Sequence, residues 1–227
     1  MKILLVKIFL VLGLTLPLMA EMNDDPLIAT LNVNNLEFQN RNPNSVAWDI
    51  FGWAGYDENK IYFYTNGDKQ NNSVSNTQNQ FLYAHSIAQY WDIQIGLGRD
   101  TYGSNNKNWG VVALQGLAPY FFNTKTALLF ASDGNIGLRL DLDYDLLITQ
   151  KLIFTPSFSS DLYTKNTQKI SLGSGLSNIT LGARLRYEIR REFAPYIGVE
   201  WTKNFTNTNR YDPLNDTHFV VGLKYWL

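Results

Sequence analysis

The segment at the end of the chain, Thr217 to Leu227, constrains the fold more than any other stretch. Apolar and aromatic side chains occupy one parity of this segment: Phe219, Val221, Leu223, Tyr225 and Leu227. The other parity includes His218, Gly222 and Lys224. Period-2 alternation of this kind predicts a strand with one lipid-facing side and one polar side. A strand that ends a chain in this way is typical of a bacterial outer-membrane β-barrel.

The beginning of the chain, residues 1–20, resembles a secretory signal peptide. Lys2 and Lys7 supply a positive start, Ile8 to Leu14 an apolar stretch, and Ala20 a small residue at the expected cleavage point. The apolar stretch is shorter than the roughly 20 residues that a membrane-spanning helix needs, which disfavours an anchor. The sequence therefore predicts a signal peptide at 1–20, an N-terminal tail and first strand at 21–44, and the rest of the barrel at 45–227.

The composition agrees with an exported barrel. Aromatic residues make up 14% of the chain, which fits the aromatic girdles of such barrels. Cysteine is absent, which excludes thiolate metal sites and cysteine nucleophiles. The net charge of −1 gives no reason to expect a nucleic-acid partner. We expect the protein to be surrounded by outer-membrane lipids.

Turn and loop signals predict an all-β fold of about 12 antiparallel strands. Outer loops are expected at 40–44, 67–77, 103–108, 132–135, 165–174 and 206–216. Short periplasmic turns are expected at 57–59, 89–90, 117–119, 148–151 and 190–194. A soluble β-sandwich would also alternate, but the signal peptide and the aromatic last strand favour the barrel.

Charged side chains alternate with apolar ones in several of these strands. Because a basic side chain at the bilayer midplane costs about 2–4 kcal/mol, we expect the charged parity to face the lumen. The expected acidic strip comprises Asp141, Asp143, Asp145, Glu188 and Glu200, and the basic strip comprises Arg139, Arg184 and Arg186. Two interpretations remain open: a cation path lined by carboxylates, or a salt-bridged filling of a narrow barrel.

The sequence offers no pattern for hydrolytic chemistry. A serine hydrolase needs a histidine beside its serine, and the two histidines, His85 and His218, lie near no such motif. The Gly173 to Ser177 stretch has serines but no histidine close by, so a flexible loop is the simpler interpretation. We expect a protein that is not an enzyme.

Several segments resemble the copper resistance protein B family of outer-membrane proteins. The matching stretches are WDIFGWAGYD from Trp48, LYAHSIAQYWDIQIGL from Leu82, LQGLAPYF from Leu114, YDLLITQKLIFTP from Tyr144, and GSGLSNITLGARLRYEIRREFAPY from Gly173. The likeness spans nearly the whole chain after about residue 40. Many family members also carry a Met/His-rich N-terminal extension, whereas residues 21–44 hold one methionine and no histidine.

This resemblance implies a role in copper resistance or homeostasis, by binding copper or letting it pass through the barrel. The implied metal contacts are His85, Asp141, Asp143, Asp145, Glu188, Glu200 and His218, with the arginines shaping the lumen. His85 shares its parity with Phe81, Tyr83 and Ile87, so only a bulge would turn it inward. A periplasmic multicopper oxidase or copper carrier is the implied partner. The alternative is a general small pore or structural barrel without copper specificity.

Overall fold

A computed structural model describes residues 26–70 and 73–227, and the predicted signal peptide therefore lies outside the described residues. The strands are β1 (Ile28–Gln39), β2 (Ser45–Gly55), β3 (Asn59–Gln70), β4 (Ser73–Ala88), β5 (Trp91–Tyr102), β6 (Asn105–Ala118), β7 (Phe122–Phe130), β8 (Ile136–Asp143), β9 (Leu146–Leu147), β10 (Leu152–Tyr163), β11 (Gly175–Tyr187), β12 (Phe193–Asn204) and β13 (Asn215–Trp226). Short helical turns occupy Pro119–Phe121 and Gln168–Ile170, and one four-residue helix, α1, spans Thr208–Tyr211.

Each strand pairs antiparallel with its neighbours, and the sheet closes on itself. β1 pairs with β13, with Val33 opposite Tyr225, and β10 pairs with β11. β8 and the short β9 both pair with β10, so together they fill one position in the wall. The result is the predicted all-β barrel of 12 strand positions. In the part of the chain that the structure describes, closure pairs each strand on both sides except the two-residue β9, so the wall satisfies its backbone hydrogen bonds almost entirely without water.

The strand boundaries confirm the periplasmic turns and correct two outer loops. Turns between strands fall at 56–58, 89–90, 119–121, 148–151 and 188–192, as the sequence predicts to within two residues. The expected loops at 67–77 and 103–108 are wrong, because β3 runs to Gln70, β4 starts at Ser73, and only residues 103–104 separate β5 from β6. Asn- and Ser-rich sequence there pairs in strands that extend outward, where water can solvate both faces.

The outer surface of the wall is apolar. On β5, Ile93, Ile95 and Leu97 are exposed, whereas Gln94 and Asp100 on the opposite parity are buried. The same division holds on β13, where Phe219 and Val221 are exposed and His218 and Val220 are buried. Large apolar side chains that cover a closed barrel are suited to hydrocarbon, not water. Among the residues that the structure describes, no helix is long and apolar enough to cross a membrane.

Candidate functional site: the lumen and its outer mouth

Ion pairs between strands that are not neighbours fix which side chains point inward. Arg139 on β8 contacts Asp100 on β5, and Arg184 on β11 contacts Glu37 on β1. Strands β6 and β7 separate the first pair, and β12 and β13 separate the second. Since such side chains can meet only through the interior, the charged parity of these strands lines the lumen.

One side of the lumen, the charged half, is formed by the inward faces of β8 to β13, β1 and the adjoining part of β2. At its centre Arg184 binds Glu37 through Nη2 at 3.1 Å and Nε at 3.2 Å, and binds Glu200 through Nη2 at 2.7 Å. Tyr196 and Gln39 also donate hydrogen bonds to the Glu37 carboxylate. Glu37 is only 3% exposed, so this set of donors offsets the cost of burying its charge.

A second ion-pair group lies nearer the periplasmic end of the charged half. Arg186 Nη2 lies 3.0 Å from Asp145 and 3.5 Å from Glu188. Thr155 donates a further hydrogen bond of 2.6 Å to Asp145. The predicted acidic and basic strips are therefore interlocked here, as the salt-bridged interpretation expects.

Other carboxylates in the lumen are less tightly held. Asp143 accepts a hydrogen bond of 2.8 Å from Asn123, and Asp49 accepts one of 3.1 Å from Asn34. Asp141 is exposed and stands opposite Lys125 in the β7–β8 register. Asp49 and Asp143 are half-buried, and all three carboxylates lie outside the ion pairs of Arg184 and Arg186, which suits a cation path.

The opposite side of the lumen, the apolar half, is formed by the inward faces of β3 to β7. Its buried cluster includes Tyr62, Leu82, Trp109, Val111 and Leu129, of which Leu82 and Leu129 are 0% exposed. Packing of this kind fills space and excludes water.

Polar groups within the apolar half are tied down. Trp109 donates a hydrogen bond of 2.8 Å to Asp100, which also pairs with Arg139. The ammonium group of Lys125 lies 3.2 Å from the centre of the Tyr64 ring, a cation–π contact. Because these groups already have partners, the apolar half offers few free ligands.

Two outer loops cover the mouth of the barrel. Ile170 and Leu172 of the loop between β10 and β11 are buried and belong to the same cluster as Trp109. The hydroxyl of Thr208 in α1 accepts a hydrogen bond of 2.9 Å from the Gly173 amide of this loop and lies 2.9 Å from the Ser177 hydroxyl on β11. A Cβ on Gly173 would lie 2.0 Å from the Thr208 nitrogen, so only glycine permits this approach.

A cavity of about 700 Å³ lies beneath these loops, on the side of the charged half. Its lining includes Glu37, Arg41, Asp49, Thr180, Arg184 and Glu200. The open volume of the lumen therefore adjoins the charged and hydroxyl groups of this half, and its remaining wall includes Asn66, Asn76 and the loop residue Ile170. A volume of this size accommodates hydrated ions.

The structure brings some of the predicted metal contacts together and separates others. His218 lies 3.7 Å from Glu200 at the outer mouth, and Asp145 and Glu188 share Arg186 near the other end. Asp141 and Asp143 lie on β8 between them. In residues 26–70 and 73–227, no group of three or more histidine, aspartate or glutamate side chains is arranged to hold a metal ion.

His85 lies apart from this set. Its side chain is exposed on β4, on the same outward parity as Phe81 and Tyr83, and its ring contacts Asn59 at 3.1 Å. The register of β4 shifts opposite Asp68 and Lys69 and again between Ser86 and Ala88, and neither shift turns His85 inward. His85 therefore does not meet the lumen carboxylates.

Two residues of the outer mouth, Glu37 and Arg41, were not predicted from the sequence. Glu37 lies on β1 between the inward-facing Asn35 and Gln39, and this polar parity was a usable signal. Arg41 lies in the turn between β1 and β2, where no periodicity applies. Its contacts with His218 and Glu200 join residues far apart in the chain, which a sequence pattern does not reveal.

A closed antiparallel barrel with an apolar outside and a charged lumen defines an outer-membrane β-barrel protein, which sets the location of this chain in the outer membrane. The NanC porin, a solved structure, superposes with a TM-score of 0.55 at 12% identity, covering 87% of this chain and 99% of that one. This likeness concerns the fold alone.

The family follows from the sequence comparisons. The family model described as Copper resistance protein B precursor matches residues 27–227. Copper resistance protein B of Escherichia coli is 34% identical over 211 residues, 90% of this chain and 71% of that protein. A copper resistance protein B homolog of Pseudomonas syringae pv. tomato is 32% identical over 212 residues, 91% of this chain and 72% of that protein. The chain belongs to the copper resistance protein B family.

Proposed function

We propose that this protein contributes to copper resistance by binding copper ions in the lumen and letting them pass along the charged half. The observation that carries the proposal is the wall of the open cavity, which includes the carboxyl-bearing side chains of Glu37, Asp49 and Glu200. Membership of the copper resistance protein B family points to copper as the ion, and the lumen carboxylates form a surface that attracts cations.

The donor chemistry favours Cu(II) as the ion that passes. Soft thiolate and thioether ligands select Cu(I), whereas imidazole and carboxylate groups suit Cu(II). The chain has no cysteine, and its three methionines all lie before residue 23. The lumen offers His218 and a series of aspartates and glutamates. The role is binding and passage without catalysis, with a periplasmic copper carrier or multicopper oxidase as the partner.

The distribution of ion pairs supports passage in steps. Glu37 and Glu200 share Arg184, and Asp145 and Glu188 share Arg186, at two depths of the lumen. Each arginine lowers the affinity of its carboxylates for a cation, so that an ion can leave as well as enter. Conduction requires this balance between entry and release.

The test is copper tolerance and total cellular copper in a strain that lacks the gene, grown across a copper series. Complementation with the wild-type gene should restore the copper phenotype, and His218→Gln should restore it only in part. His85→Gln is the matched control, because this histidine lies on the outward face and its replacement should complement fully. Unchanged tolerance and unchanged copper content in the deletion strain would contradict the proposal and favour a general small pore.

A further inference from the structure

Arg41 meets three potential metal ligands at the outer mouth. Its Nε donates a hydrogen bond of 3.1 Å to His218 Nδ1 and lies 3.4 Å from Asp216 Oδ2. Its Nη2 lies 3.7 Å from Glu200 Oε1. One imidazole and two carboxylates, from β12 and β13, are thus gathered around a single guanidinium group from the turn between β1 and β2.

The imidazole of His218 is unusually placed for a structural histidine. Its side chain is fully buried, and its Nε2 has no hydrogen-bond partner, although Glu200 Oε1 lies 3.7 Å away. Since Nδ1 accepts the hydrogen bond from Arg41, the lone pair of Nδ1 points at the guanidinium. A metal ion would bind His218 through this same lone pair of Nδ1.

Asp216 adds to the same side of the ring. Its Oδ2 lies 3.3 Å from His218 Nδ1, and its side chain is 36% exposed at the rim of the mouth. Glu200 continues the series inward, because it also binds Arg184 in the wall of the cavity. The three side chains therefore lead from the rim towards the cavity.

We propose that Arg41 is a built-in cation that occupies the position of an incoming Cu(II) ion at the mouth, so that copper binds His218, Asp216 and Glu200 by displacing it. This inference rests on the proposed function and assigns the regulation of its first binding step. Imidazole and carboxylate donors match Cu(II). As the side chains stand, Arg41 holds them, and the ligand set forms when Arg41 leaves.

The position of Arg41 suits a displaceable group. It belongs to the short turn 40–44, so its withdrawal breaks no strand pairing. Its side chain is 17% exposed and therefore has a route to solvent. Displacement exchanges a monovalent guanidinium for a divalent ion, whose two charges match those of the Glu200 and Asp216 carboxylates.

The experiment is a Cu(II) titration of the full-length protein, folded in detergent, followed by electron paramagnetic resonance. Arg41→Gln should tighten Cu(II) binding at least about tenfold, because the competing cation is gone. Arg41→Lys keeps the charge and should change the affinity less than about threefold. The spectrum of Arg41→Gln should carry nitrogen coupling, and adding His218→Gln should remove both that coupling and the gain in affinity.

Three results would overturn the proposal: equal or weaker Cu(II) binding by Arg41→Gln, a gain that survives His218→Gln, or no nitrogen coupling. Arg41→Met provides a second neutral variant if Arg41→Gln does not fold, as judged by heat-modifiable migration on a gel. The copper tolerance of the deletion strain is a separate readout. If Arg41→Gln does not bind Cu(II) more tightly but the deletion strain has altered copper tolerance, only the role of Arg41 is rejected. If the deletion strain has normal copper tolerance, the proposed function is rejected.

Discussion

The two halves of the lumen are filled by different kinds of side chain. The apolar half packs Leu82, Trp109 and Leu129 to complete burial or nearly so. The charged half fills its space with ion pairs such as Arg184 with Glu37 and leaves a cavity of about 700 Å³. Packed apolar side chains fix the shape of a wall, whereas paired charges can exchange partners with a passing ion. We infer that the apolar half stabilises the barrel and that the charged half carries its function.

The largest expected effect tests the ion pairs of the charged half. Arg184→Gln leaves Glu37 buried without its cationic partner, which should lower the free energy of unfolding by about 3–5 kcal/mol. Urea-induced unfolding in detergent measures the change. The double variant Glu37→Gln with Arg184→Gln removes both charges and should recover most of the loss. If the double variant is as unstable as the single one, the pairing account fails.

The next effect tests the packing of the apolar half. Leu82→Ala creates a cavity at a fully buried position and should cost about 2–5 kcal/mol in the free energy of unfolding. The ratio of cation to anion permeability in planar bilayers should stay as in the wild type, because no charge changes. A shift in this ratio without loss of stability would reverse the roles assigned to the two halves.

A smaller effect concerns the accessible carboxylates. Asp141→Asn removes a charge that lies opposite Lys125, and should lower the permeability ratio of K⁺ over Cl⁻ by about twofold to fivefold. Reversal potentials across a KCl gradient measure the ratio. Gln94→Leu is the matched control on the other wall, since Gln94 is uncharged and fully buried. An unchanged ratio in Asp141→Asn would place the cation path elsewhere.

The smallest effect lies outside the membrane, in the turn between β7 and β8. Lys107 donates a hydrogen bond of 2.9 Å to Asp133 and holds the pKa of this carboxyl below its ordinary value. A carboxyl with a lowered pKa in the folded state stabilises the fold above the unfolded pKa and loses that contribution as the pH falls through the folded value. Because Asp133 is exposed, Asp133→Asn should cost less than about 1 kcal/mol at neutral pH.

The pH dependence separates this contribution from others. The difference in unfolding free energy between the wild type and Asp133→Asn should shrink from the unfolded pKa of about 4 downwards and reach zero once the pH is below the lowered folded pKa, where the wild-type carboxyl is protonated. Denaturant midpoints at a series of pH values provide the comparison. A difference that grows in acid would contradict the assigned direction.

The strand number, the periplasmic turns and the inward parity of the charged residues followed from the sequence. Period-2 alternation specifies them wherever one face meets lipid and the other is charged. The packed interior of the apolar half was not predicted, because β6 carries apolar side chains on both of its faces. Trp109 and Val111 face inward there while Val112 and Leu114 face outward, so alternation gives no signal.

The candidate site was only partly predictable for a different reason. Glu200 and His218 were identified from their parity, but Arg41 and Glu37 join them through contacts between residues more than 140 positions apart. Which charges pair across the lumen depends on strand order and tilt, which a single sequence does not specify. His85 was suggested by its place in a family-like segment, and its outward position follows from the alternation that Phe81, Tyr83 and His85 share on the exposed side of β4.

The most direct test of the central claim uses the absence of cysteine in the chain, which allows a single reactive thiol to be placed in either half. Thr180→Cys lies in the cavity of the charged half, and Ala113→Cys lies in the packed apolar half. Single-channel conductance in KCl is recorded before and after a cationic thiol reagent is added. We expect the reagent to modify Thr180→Cys and lower its conductance, whereas the conductance of Ala113→Cys should stay the same. Block through Ala113→Cys, with Thr180→Cys unaffected, would contradict the central claim.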